Sequence, residues 1–348
     1  VDEVQVFSLN AHAAYACRHS GACCTAGWSI PVEARTWPLV HTDWLLPDDT
    51  GACPEYDRPS GLCRIHRDHG HTLLPESCQH FPRRALLDAR GTSVALSHYC
   101  PTAAALLLDG TEPLTVVTSP AAFPPARSYE GLDATGEWPP SLRPDVLFDA
   151  PSFARWERYL VETIGQSDAD PLVALHRTAA TAERLRRWTV EATPLPEWVE
   201  GQLENASLDA NADVDARYVP FTQSEAWATV CATVLPELER PALPSDIAGA
   251  DAQWVEPVWR AHARRVNRYL GAKAFASWTA YQSRGIRTQV AELYATLAVL
   301  RVECARACVA AERTLDRTLL TDAVRASDLL LVHLADRQAL MAWLGKVD

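Results

Sequence analysis

The chain has 348 residues, 48% hydrophobic and 22% charged, with a formal net charge of −12. That length supports one large core or two of ordinary size, and the acidic balance argues against a nucleic-acid partner, which needs a basic track. No stretch reaches the ~18 apolar residues of a membrane span and no secretory leader opens the chain, so a non-membrane, cytoplasmic protein is expected; Val1 in place of Met suggests a trimmed initiator or tag.

Residues 1–110 read as a cysteine-rich region of irregular chain. Turn formers recur at Ala26-Gly27, Pro47-Asp48-Asp49-Thr50-Gly51, Arg58-Pro59-Ser60-Gly61 and His69-Gly70-His71, several of them beside cysteines. Residues 101–109 predict a helix, with Pro101 in its first turn, Gly110 closing it and Cys100 at its N-terminus. A Pro/Gly/Ser-rich connector over 111–150 follows. From 151 to 348 the text is helical, with segments over 151–165, 169–190, 222–237, 252–283, 286–312 and 314–343. Apolar stripes oppose Arg/Glu faces in the last three. The expected fold is mainly α, a loop-rich cysteine metal-binding N-terminal region packed against a helical bundle. Internal repeats, a Gly-rich dinucleotide fingerprint and a P-loop are all lacking in the sequence.

Seven of the ten cysteines (Cys17, Cys23, Cys24, Cys53, Cys63, Cys78 and Cys100) and eight of the eleven histidines fall within the first 100 residues. A core does not need them at that density, and soft ligands so crowded point to a metal centre. Disulfides are the rival reading. Seven is an odd number, and a chain this long does not need staples, so a reducing compartment fits better. The spacing is not that of a zinc finger with Cys-x2-Cys and His-x3-5-His. Four thiolates suffice for one [4Fe-4S] cluster or one structural zinc. Seven leave a surplus, either for a second centre or for a cluster with one open site. Cys17, one of Cys23 or Cys24, Cys63 and Cys78 are the first candidates, then Cys53 and Cys100. Neighbours such as Cys23 and Cys24 do not easily aim both sulfurs at one point. Cys304 and Cys308, four apart on a helix, read better as small core residues.

His66, His69 and His71 lie between cysteines and read either as ligands or as groups hydrogen-bonded to sulfur; His80 and His98 flank Cys78 and Cys100 with the same two readings. Arg64, Arg83 and Arg84 put positive charge near Cys63 and Cys78, which suits an anionic cluster or a bound carboxylate. With His66 they form the candidate cofactor-binding set.

The strings Tyr15-Ala16-Cys17 and Gly21-Ala22-Cys23-Cys24-Thr25-Ala26-Gly27-Trp28-Ser29-Ile30-Pro31-Val32 resemble the opening of bacterial flagellin lysine-N-methylases. Gly51-Ala52-Cys53-Pro54, Gly61-Leu62-Cys63-Arg64-Ile65-His66, Leu74-Pro75-Glu76-Ser77-Cys78-Gln79-His80-Phe81-Pro82-Arg83 and Leu96-Ser97-His98-Tyr99-Cys100-Pro101 follow in order. Shorter cysteine-rich proteins described as zinc- or iron-chelating domains share the Cys-Cys core and the Cys-x2-Phe-Pro piece. The resemblance covers residues 15–108 and is faint over 258–300, while His98-Tyr99 departs from the small residues usual before the last cysteine.

The resemblance implies an enzyme, an S-adenosylmethionine-dependent methyltransferase of lysine ε-amines carrying an iron–sulfur cluster. Its substrate is expected to be a protein or peptide bearing an amine, or a small amine. An attacking amine must be neutral although its ordinary pKa is ~10.4, so a dry pocket or a base has to discharge it. Tyr15, Glu33 and Glu76 are the catalytic candidates, because they flank the cysteines. Two other classes stay open: an iron–sulfur redox or radical enzyme modifying an amino acid or peptide, and a zinc-stabilised protein-binding module without catalysis.

Overall fold

A computed structural model describes residues 5–118, 131–208, 218, 222–234, 243, 245–282 and 284–347. Parts of the expected connector (119–130) and of the helix expected over 222–237 (235–237) lie outside the described residues.

The N-terminal region is organised by a five-stranded mixed sheet. Its strands are ordered Val116–Thr118, Val6–Leu9, Gly91–Leu96, Arg83–Asp88 and Gly131–Asp133. The two longest strands form an antiparallel hairpin, with Ala85 opposite Val94 and Leu86 opposite Ser93. Asp88 Oδ1 closes the turn by accepting from the Arg90 N–H at 2.8 Å. Gly91 has φ +131°, and a Cβ there would collide with the Gln5 carbonyl, so only glycine fits. The alternation of a strand gives this sheet two buried faces. Leu86 and Leu9 join the large core shared with the helices. Val94 and Leu96 face the other way, onto Tyr15, Cys100 and Ala103. Around this sheet, residues 22–80 form short turns and two-residue strand pairs, Ile30–Pro31 with Trp44–Leu45 and Tyr56–Asp57 with Leu62–Cys63.

The helical half is built around Ile286–Ala311, 26 residues long and buried along most of its length. Against it pack Pro171–Leu185, Gln223–Ala232, Ala263–Ala274 and Arg317–Asp328. Aspartates begin several helices. Asp149, Asp170, Asp316 and Asp336 each accept from a backbone N–H in the first turn, at 2.8–2.9 Å, satisfying donors that the helix itself cannot. Pro101–Asp109 forms as expected, but Gly110 has φ −60° and does not close it with a left-handed turn. Gly110 is needed for room, since a Cβ would meet the Arg268 guanidinium, which donates to the Leu107 carbonyl at 2.7 Å. The segment expected as one helix over 314–343 is three pieces. Arg317–Asp328 widens into a π-helical turn over Leu329–Leu334, and Arg337–Leu344 follows.

The expected fold class therefore needs two corrections. The chain is mainly α-helical, but its N-terminal region is a mixed β-sheet with attached turns rather than loops alone. Among the described residues, no group of three or more His, Cys, Asp or Glu is arranged to hold a metal ion, so the region is not a ready-made ion site. No helix of the described residues is long and apolar enough to cross a membrane.

Candidate functional site

All ten cysteines are free thiols. Cys17, Cys23, Cys24, Cys53, Cys63, Cys78 and Cys100 all line one cavity of about 320 Å³. The local fold explains the convergence. Cys23 and Cys24 sit on the 3-10 turn Ala22–Thr25, which begins at Gly21 with φ +70°. Cys53 donates its N–H to the Cys24 carbonyl at 2.7 Å, which ties the second cysteine loop to the first. Cys63 ends a two-residue strand and precedes the helix Arg64–His69. Cys78 lies on Glu76–His80 and Cys100 precedes Pro101–Asp109. Apolar side chains, Ile30, Leu45, Ile65 and Leu74, fill the floor between them.

Cys23, Cys24 and Cys63 lie close enough to shift one another's ionisation. Cys23 and Cys63 hold the Cys24 thiol well above its usual value. The Cys23 thiol is lowered, and Cys63 is pulled down to about 6, against burial that would raise both. Burial pushes the Cys53 thiol up to about 11 and raises Cys78 and Cys17 as well. The adjacent Cys23 and Cys24 thus sit near enough to shift one another.

The other sequence candidates divide. Tyr15 lines the cavity, with its hydroxyl 3.5 Å from Cys100 Sγ. Arg83 lines it too, its guanidinium 5.3 Å from the centre of the Tyr15 ring. His66 lines it, with His19 and His71 at ring distances of 4.5 and 5.7 Å. Glu33 and Glu76 are not brought to the cavity. Glu33 Oε2 accepts from the Glu76 N–H at 3.0 Å and so caps the short helix that carries Cys78. Arg64 does not line the cavity but pairs at 3.2 Å with Glu55, which does. Arg84 lies over the Trp278 ring at 4.0 Å and lines a different, smaller cavity. His98 is buried against Asp328. Cys304 and Cys308 are buried in the helical core.

Sequence reasoning missed Glu55, the one carboxylate among the cavity's lining residues. Its position two residues after Cys53 was the available signal. It also missed a second cavity, of about 230 Å³, on the far side of Cys23 and Cys78, lined by Trp28, Phe81, Val332 and His333 among others. Burial and the nearby Arg84 hold the His333 imidazole down to about 3, and its Nε2 lies 2.7 Å from Ser97 Oγ.

No protein-family model, no curated protein and no solved structure matches this chain. The resemblance to flagellin lysine-N-methylases and to the chelating domains is therefore not sustained. The strings that carried it are cysteines beside turn formers, and turns of that kind arise wherever thiols are placed on loops; here they accompany a mixed sheet and no preformed ion site.

Proposed function

We propose that this chain is an iron–sulfur enzyme whose [4Fe-4S] cluster occupies the N-terminal cavity. The observation that carries the reading is the convergence of seven thiols, from five separate stretches of chain, on one volume of about 320 Å³. A single ion needs its donors aimed at a point, and the described residues offer no such point. The thiolates of a cluster bind different irons, so its donors surround a volume instead. The donor set fits that demand: Cys23 and Cys63 give up protons most readily, as ligation requires. The remaining donors come from the other five thiols that line the cavity. Zinc is the alternative metal, and metal analysis separates the two.

The reaction proposed at this site is methyl transfer from S-adenosylmethionine to an amine. Bound, and held by three thiolates, the cluster would supply its fourth iron to anchor the amino-acid end of that co-substrate. The chain's own residues supply the rest. Glu55, which lines the cavity and pairs with Arg64, would take the proton that an ammonium must lose before it attacks once that pairing opens. Arg83 adds positive charge beside the thiols for a carboxylate. Ile30, Leu45 and Leu74 keep the floor dry, which favours the neutral amine. The amine lone pair forms the N–C bond, the C–S bond breaks with its electrons going to sulfur, and the thioether S-adenosylhomocysteine leaves.

Anaerobic incubation of the purified chain with S-adenosylmethionine and a lysine peptide tests this reading. Formation of S-adenosylhomocysteine with a matching gain of methyl on the peptide is expected. Production of 5′-deoxyadenosine would replace methyl transfer by radical chemistry, and no turnover in iron-loaded protein would reject the reaction.

A further inference from the structure

A further cavity, of about 500 Å³, opens against the helix Arg337–Leu344 and has no lining residue in common with the thiol site. Met341 and Ala342 give it an apolar wall, while Gln282, Arg284, Arg337 and Gln338 give it a polar one. Among its described lining residues the only charged groups are the two guanidiniums, and none is acidic. These two guanidiniums differ. Arg337 is engaged: it donates to Glu292 Oε1 at 2.8 Å and to the Thr279 hydroxyl, so Glu292 balances its charge. Arg284 is exposed, and no hydrogen bond or ion pair with the described residues engages it. Its stem lies across Gly345, with Cδ 3.8 Å and Nε 3.9 Å from where a Cβ on that glycine would stand. Beside it, Gln282 Oε1 accepts from Arg337 Nε at 3.2 Å. An arginine only donates, so the end of the Gln282 carboxamide left over is its NH2, a donor.

We infer that this cavity binds an organic monoanion, a carboxylate carried on a short apolar chain. Three observations select that occupant. One guanidinium without a counter-charge matches one negative charge. A phosphate dianion would call on the second guanidinium, which Glu292 already holds, and would meet a chain of net charge −12. The Arg284 fork and the Gln282 donor together suit the two oxygens of a carboxylate. The volume falls within the roughly 300–1,000 Å³ of small-molecule sites, and Met341 with Ala342 offers cover to the apolar chain. Binding here does not depend on the cluster or on methyl transfer, so either can fail without the other.

Met341 is the only methionine in the sequence, so an isotope label on the methionine methyl gives one magnetic-resonance signal, placed in the wall of this cavity. The full chain carrying that label is titrated with hexanoate and, separately, with hexanamide, its uncharged counterpart, and with inorganic phosphate. Hexanoate is expected to move the Met341 signal with an affinity about tenfold above that of hexanamide, the size of one charge-assisted hydrogen bond. Arg284→Gln should abolish that preference, while Arg284→Lys, which keeps the charge without the fork, should retain part of it. Arg284 is exposed, so neither substitution takes packing from the core. A Met341 signal that hexanoate leaves unmoved, or that both ligands move equally, overturns the inference, and that comparison needs no variant. A preference for hexanoate that survives in Arg284→Gln protein also overturns it. Phosphate binding tighter than hexanoate would overturn the choice of a carboxylate.

Discussion

Asp328 is buried and accepts from four donors: the His98 N–H at 2.6 Å, His98 Nδ1 at 3.2 Å, the Tyr269 hydroxyl at 2.8 Å and Lys273 Nζ at 3.1 Å. Burial alone would raise its carboxyl, but Lys273 and His98 outweigh that and hold it well below the usual carboxylate range. The network continues outward, because His98 Nε2 lies 3.3 Å from His12 Nε2. One of these two nitrogens donates and the other accepts, and a neutral His12 can take either role. Burial, then His98, lowers His12 well below its usual value, in agreement with that arrangement. Asp328→Asn removes one partner of a buried pair and leaves Lys273 uncompensated, so a loss of about 3–5 kcal/mol is expected. Chemical denaturation of the variant and the parent checks it; a loss under about 1 kcal/mol would show that the four donors find other acceptors. None of this was legible in the sequence. His12, His98, Lys273 and Asp328 are spread over more than 300 positions, and no local spacing marks them as neighbours.

At the scale of elements, the helices Ala150–Gly165 and Ala263–Ala274 cross at Gly165 and Gly271. A Cβ on Gly271 would stand 2.8 Å from Gly165 Cα and 2.9 Å from the Val161 carbonyl oxygen. Neither obstacle is the end of a flexible side chain, so Gly271→Ala has to push the helices apart. Overpacking of this kind costs about 1–3 kcal/mol, despite the better helix propensity of alanine. A variant as stable as the parent would mean that the helices separate freely. The helices were the readable part of the chain. Asp149 and Asp316 sit where caps belong, and the apolar run of 151–165 carries its own period. By contrast 286–311, expected to show an Arg/Glu face, is buried on nearly all sides, Arg287, Arg301 and Glu303 included. The sheet was not read, although Arg83–Leu96 carries one local sign of a hairpin, the Asp88-Ala89-Arg90-Gly91 turn. Val6–Leu9, Val116–Thr118 and Gly131–Asp133 are too short to announce themselves, and they become strands only by pairing with distant chain. The break at Leu329–Leu334 was also silent, because its apolar residues continue the pattern of the helix before it.

Over the whole molecule, polar ties cross the seam between sheet and helices. Arg90 pairs with Glu157 at 2.8 Å, Tyr281 donates to Asp88 at 2.6 Å, Trp278 donates to the Ala85 carbonyl at 3.2 Å, and Ser97 meets His333 at 2.7 Å. Two histidines at this seam, His12 and His333, are held below their usual value by burial. A histidine lowered in the folded state binds its proton first in the unfolded chain, so the folded state loses stability as pH falls below the unfolded value of about 6.5. Each contributes at most about 1.4 kcal/mol per pH unit until its own folded value is reached. Denaturation midpoints should therefore fall between pH 7.5 and 5.5, and His12→Gln or His333→Gln should flatten the slope. A midpoint that stays constant over that window would show that neither imidazole is neutral through burial. The cysteine cavity is a property of this same scale. The sequence announced its thiols by number, but their meeting depends on the 3-10 turn at Ala22–Thr25, the Cys53–Cys24 backbone bond and the sheet behind Cys100.

Iron and acid-labile sulfide, quantified together on chain purified without oxygen, test the central assignment most directly. The account predicts iron and sulfide in equal amounts, near four of each per chain, with both lost in Cys63→Ser protein that remains folded. Folded parent protein that contains neither, or that holds only zinc, would contradict it.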